Sequence, residues 1–196
     1  MIKKFLFISL LASIYSCSSA KRVEKRCKDN PFEELDSLLS ANQKLNYTIH
    51  KPKDWKKGKT SNGDWYFLEY KYIDSLNYYS RKVDVYIGLD KLRKKCVTQS
   101  FSIDDYLHYF VNYKSKWFPK DKFKYLLLKG KHKVYGDMYI VKYSEKINSE
   151  ISYTRSFFLF FKENEGYVIQ YAANPKYYNN YLPVVEKMVN SFKILN

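Results

Sequence analysis

Glycine is scarce in this chain, with six among 196 residues. A loop that cradles phosphate, or a dinucleotide fingerprint, needs several glycines within a few positions, and no such cluster occurs. Histidine is scarcer still. His50, His108 and His132 are far apart, with no HExxH motif and no His/Cys pair at ligand spacing, so no metal site or cofactor is expected. No GxSxG elbow marks a nucleophile. Asp104-Asp105 resembles a catalytic carboxylate pair, but acids at a helix start complement the helix dipole and need no further role. Cys17, Cys27 and Cys96 exclude a CxxC redox pair by their spacing. Acidic residues are also few, 20 against 35 Lys and Arg, which leaves a net charge of +15. No catalytic residue is assigned, and the chain reads as non-catalytic.

A membrane-spanning run of ~20 apolar residues is missing too. The apolar stretch at residues 5–15 is shorter, and it follows Lys3 and Lys4. This is the pattern of an export signal. Ile14-Tyr-Ser-Cys17 then resembles the lipobox of bacterial lipoproteins, with Tyr15 as a bulky departure. That resemblance implies a cut before Cys17, lipidation of its thiol and a membrane anchor held by acyl chains, each buried CH2 contributing ~0.8 kcal/mol. An ordinary secretory peptide cut near Ala20 is the alternative. Residues 1–16 are thus expected to be a lipoprotein signal peptide. Residues 17–28, with Lys21, Arg22, Lys25, Arg26 and Lys28, read as a basic tether with too little apolar surface to fold. Loss of Lys3 and Lys4 takes the net charge from +15 to +13. With Cys17 lipidated, Cys27 and Cys96 remain as an even pair in an oxidising compartment, and whether they bridge stays open.

Basic charge of this size invites a nucleic-acid reading, but no recognition motif is present and an exported protein does not ordinarily meet a genome. The expected location is the cell envelope, outside the cytoplasm.

The remaining residues, 29–196, read as one α+β domain. A short helix is expected at 29–39, from a cap at Asp29, Pro31 in the first turn and early acids. The first strand runs over 47–52 and ends at Pro52, followed by a lysine-rich loop over 51–64. Strands follow at 65–72 and 83–89, where Val83, Val85, Ile87 and Leu89 alternate with other residues. A turn is expected at 75–80, and an irregular basic stretch at 92–100. Ser102 is positioned to cap a helix with stripe Ile103, Leu107, Phe110, Val111 and Trp117, ended by Pro119. A strand at 123–131 leads into a meander of three strands over 137–172. The period then changes. Tyr178, Leu182, Val185, Val189 and Phe192 fall three and four apart, on one face of a closing helix.

This order of elements resembles the PsbP-like family, whose fold is shared with a nuclear-transport factor that binds the GTPase Ran. The resemblance rests on residues 47–55, on 102–117, on GDMY from Gly136, on GYVIQY from Gly166 and on MVNSFK from Met188. It implies an α/β/α sandwich around a central antiparallel sheet of about seven strands with two main helices. It also implies function without catalysis: PsbP supports the oxygen-evolving side of photosystem II, and the nuclear member binds a protein. No metal site carries over, because no matching ligands are present.

Aromatic residues make up 19% of the chain, with 21 tyrosines, a composition suited to protein contact. Trp55, Trp65, Tyr78 and Tyr79, interleaved with lysine, are the expected contact surface. The function expected is a membrane-anchored extracytoplasmic binding or assembly module for another envelope protein. A carrier or sensor of a hydrophobic small ligand, and then an envelope hydrolase, are the alternatives.

Overall fold

The structure is a computed structural model, and it describes residues 32–34, 46–60, 63–69, 81–90, 92–94, 101–116, 123–146, 152–163 and 165–195. In chain order the elements are β1 (Phe32–Glu34), β2 (Tyr47–Thr48), β3 (Lys56–Thr60), β4 (Gly63–Glu69), β5 (Arg81–Asp90) and β6 (Leu92–Lys94). Helix α1 (Ile103–Ser115) precedes the meander of β7 (Leu126–His132), β8 (Gly136–Lys146), β9 (Ser152–Lys162) and β10 (Glu165–Ala173). Helix α2 (Pro175–Ser191) and β11 (Lys193–Ile194) close the chain. Seven strands form one antiparallel sheet in the order β3-β4-β5-β10-β9-β8-β7. The expected α+β class, and a sheet of about seven strands with two main helices, are found.

Strand β9 shows how the layers arise. Its side chains alternate between two faces, yet Phe157, Phe158, Leu159 and Phe160 are all buried. Phe158 and Phe160 enter a cluster with Tyr167, Ile169, Tyr171, Val83, Val85 and the α2 residues Tyr178, Val185, Met188 and Val189. Phe157 and Leu159 meet Val141, Tyr143, Val168 and the α1 residues Tyr106 and Phe110 on the other face. A strand buried on both faces reads as a continuous apolar run. Each face is covered by one helix, which gives the α/β/α sandwich.

Local chemistry sets the helix starts. Ser102 caps α1: its hydroxyl accepts from the Asp105 N–H (3.3 Å), and the Asp105 carboxylate accepts from the Ser102 N–H (2.8 Å). Asn174 caps α2 through its side chain, and Pro175 occupies the first turn. Tyr106, which lay outside the expected stripe, is fully buried against Gly166; a Cβ at that glycine would come within 2.4 Å of its ring. Trp117 and Pro119 lie outside the described residues, as do the expected turn at 75–80 and residues 29–31 and 35–39 of the expected first helix.

Four expectations change. Phe32–Glu34 is a strand and not helical, because it pairs with Leu92–Lys94, and that pairing overrides the local capping signals. Residues 92–94 are correspondingly a strand instead of irregular. The strand expected at 47–52 is two residues long; Tyr47–Thr48 pairs with Lys193–Ile194, apart from the main sheet. The lysine-rich stretch 56–60 is an edge strand and not a loop, its backbone paired with β4 from Lys56↔Phe67 to Thr60↔Gly63.

Candidate binding surfaces

The expected contact surface does not form as a unit. Trp55 is buried in the core on the α2 side, and its carbonyl accepts a 2.7 Å bond from Lys51 Nζ. The lysines around it in sequence suggested exposure, but the indole turns inward. Trp65 precedes buried Tyr66 on β4 and so faces the opposite way. It is half-buried, packed near Phe67 (5.4 Å) over Gly58, where a Cβ would stand 1.4 Å from its ring nitrogen. The two tryptophans therefore lie on different faces. Tyr78, Tyr79, Cys17, Cys27 and Cys96 lie outside the described residues.

Three polar groupings stand out. Asp64 accepts the Tyr47 hydroxyl at 2.6 Å and pairs with Lys57 at 2.7 Å, while the Tyr47 and Tyr66 hydroxyls lie 3.0 Å apart. Burial, and then the bond to Asp64, push the Tyr47 hydroxyl far above the usual tyrosine range. It is a fixed donor that clasps the 46–50 segment to the β3–β4 edge, with no tendency to become a phenolate nucleophile. His132 is buried against Tyr135 and Phe160, with ring centroids at 4.8 and 5.1 Å, and belongs to the core. His50 and His108 are exposed.

The third grouping lines an open groove of about 480 Å³ between the start of α1 and the β9–β10 turn, bordered by Phe101, Ser102, Tyr135, Asp137, Lys162 and Glu163. Its hydroxyl at Ser102 is engaged in the helix cap, and Lys162 pairs with Glu163 at 3.2 Å on the exposed rim. Among the described residues no three His, Cys, Asp or Glu side chains are placed to hold a metal ion. Among them, too, no helix is long and apolar enough to cross a membrane.

The exposed apolar surface lies elsewhere, at one edge of the sheet. Tyr125, Leu126, Leu127 and Leu128 are 41%, 55%, 40% and 43% exposed. The three leucines open strand β7, with Tyr125 directly before it, and the strand ends the sheet, pairing only with β8 among the described strands. Both faces of the strand are bare here, since three leucines in a row are exposed although successive side chains alternate. The sequence reading placed a strand here but missed the surface. The unbroken Tyr-Leu-Leu-Leu run between Lys124 and Lys129 does not alternate, and its length equally suits a strand buried on both faces, so nothing local marks it as exposed.

No protein-family model matches the chain, and no curated protein does. Several solved structures do resemble it. LpqN, involved in cell envelope biogenesis of Mycobacterium tuberculosis, superposes with a TM-score of 0.54 at 12% identity, over 87% of this chain and 95% of that one. The likeness is one of fold. Cyanobacterial PsbP (CyanoP) from Synechocystis gives a TM-score of 0.45 at 7% identity, over 79% of this chain and 95% of that one. A Bacteroides thetaiotaomicron protein gives 0.45 at 11% identity over 76% of this chain, which spans only 45% of that longer one. A PsbP structure is among those found similar, and the shared fold itself rests on LpqN.

Proposed function

We propose that this protein is a non-catalytic binding or assembly module, held at the outer side of a cell membrane by a lipid on Cys17, that engages another envelope protein. The observation that carries the reading is the bare apolar edge at residues 125–128 on a sheet whose two faces are both covered. Contiguous exposed apolar surface marks interaction sites. The lipobox-like residues up to Cys17 support the anchor, and the fold shared with LpqN, a protein of envelope biogenesis, agrees with the location. The carrier reading would need a continuous apolar pocket. The aromatic side chains that fill both layers favour the module instead.

Gentle solubilisation of the native envelope followed by mass measurement under non-denaturing conditions tests this. The expected species is the domain with a second polypeptide, and a Cys17→Ala protein is expected in the soluble fraction. A bound small hydrophobic species would give the protein to the carrier reading, and membrane retention of Cys17→Ala would remove the lipid anchor.

A further inference from the structure

The two ends of the seven-stranded sheet are built differently. At one end, β3 reads Lys-Lys-Gly-Lys-Thr, and Lys57 on that edge pairs with Asp64. Lysine on an edge strand is a common guard against pairing with another chain. At the other end, Tyr125 and the three leucines that open β7 form an exposed stretch with no proline and no charge at its centre. Its outward N–H and C=O groups have no neighbouring strand among those described. A bare edge of this kind offers backbone donors and acceptors in a row, with apolar contacts above and below.

The charges around it choose the occupant. Lys124, Lys129, Lys131 and Lys133 flank the apolar centre, and all four are exposed. Asp137, across the ladder from Lys131, is the one acid opposite these residues in the described β7–β8 pairing. A second copy of the chain would set one lysine-flanked edge against another within a Debye length of ~8 Å at physiological salt. A lipid surface would leave the edge backbone groups without partners in an apolar medium, where each costs several kcal/mol on the general scale, ~2–7. An extended polypeptide satisfies the backbone, the leucines and the lysines together.

We propose that β7 is a strand-addition site, and that it takes an extended segment of a partner protein whose apolar, alternating centre is flanked by Asp and Glu. This rests on the reading of the domain as a binding module and names the chemistry of its partner. Main-chain pairing supplies the affinity, the leucines select the centre of the segment, and the lysines select its flanks and speed encounter.

The test uses the soluble form of the full domain and two labelled peptides, EDVTVTVDE and KKVTVTVKK, titrated to ~1 mM, where binding is still worth ~4 kcal/mol. The acidic peptide is expected to bind at least about tenfold more tightly than the basic one, and to weaken as salt rises. Backbone amides of residues 124–130 are expected to gain protection from exchange. Leu127→Lys and Leu126→Lys are each expected to weaken the acidic peptide about tenfold or more, with an unchanged thermal melt, because both side chains are exposed. Equal affinity for the two peptides, or protection that falls on β3 or on the helices, overturns the proposal. So does a concentration-dependent dimer that Leu127→Lys dissolves and the peptide leaves intact, which gives the edge to a second copy. Failure of both peptides, with a polypeptide still carried by the envelope-purified protein, overturns strand addition alone. Failure of both, with none carried, removes the binding-module reading as well.

Discussion

Phe160→Ala is expected to cost about 3–5 kcal/mol, the range for removing a buried phenylalanine from a core. Phe160 is fully buried on β9 and meets four other rings. Tyr135 stacks on it at 5.2 Å, His132 lies at 5.1 Å, Phe192 at 5.5 Å and Tyr167 at 6.0 Å. These neighbours come from β7, the β7–β8 turn, β10 and the end of α2, so the ring joins four parts of the chain. They are large and mutually packed, and they cannot collapse into the space left behind. For a chain of this size, such a loss lowers the melting temperature by roughly 6–20 °C. Against a total stability of about 5–15 kcal/mol, this removes about a fifth of the stability at the least. Urea denaturation measures it directly. A cost below about 1 kcal/mol would mean that Phe160 is not a core residue. Leu127→Ala, at the exposed edge, is the comparison and should cost little.

His132 gives the second large effect, and it depends on pH. Its partners define the neutral ring. Nδ1 accepts from the Val134 N–H (3.1 Å) and the Tyr135 N–H (3.3 Å), so it has no room for a proton. Nε2, 2.7 Å from the Val189 carbonyl, therefore carries the hydrogen and donates it. Protonation would turn Nδ1 against two N–H donors inside the core. Burial accordingly lowers the pKa below the ordinary 6.5, against the smaller opposing effect of the Val189 bond. A histidine depressed in the folded state binds fewer protons there than when unfolded. Its contribution is complete above pH ~6.5 and is lost as pH falls below that value toward the folded pKa, at no more than ~1.4 kcal/mol per pH unit. His132→Phe is expected to be less stable at pH 7.5 by about 1–3 kcal/mol, because the Val189 carbonyl and two N–H groups lose their partner. The gap between the two proteins should narrow as pH falls from 7.5 to 5.5. A gap that stays constant or widens over that range would contradict the assigned neutral ring.

Much of the fold was legible because its elements follow simple periods. The spacing from Tyr178 to Phe192 belongs to a helix with one buried face, and α2 is that helix. Ser102 and Asp105 sit where a capping box requires them, and α1 begins there. The β8–β10 meander was readable from short polar joints between apolar runs, and Gly136 adopts the positive φ of 78° that its turn needs. What failed was wherever long-range pairing decides. Lys56–Thr60 carries no strand pattern of its own and is a strand only because β4 lies beside it. Phe32–Glu34 has the start signals of a helix and is drawn into a ladder with residues more than fifty positions away.

The candidate site suffered from the same limit. Lysines near Trp55 said surface, and the backbone turned its ring into the core. His132 stands between Lys131 and Lys133, a polar context in sequence, and is nevertheless buried by strand alternation. The leucines at 126–128 erred in the other direction. Their hydrophobicity suggested a core strand, yet no layer of the described fold covers them. Exposure depends on which strand ends the sheet, and no local pattern carries that information.

The most direct test of the account places a photo-reactive phenylalanine analogue at Leu127 on β7 and, in a second protein, at Lys57 on the guarded β3 edge. Both are irradiated in the intact native envelope. The account predicts a covalent adduct to one defined polypeptide from position 127 and none from position 57. Equal labelling from both edges, or products at 127 that contain lipid or a small ligand and no polypeptide, would contradict it.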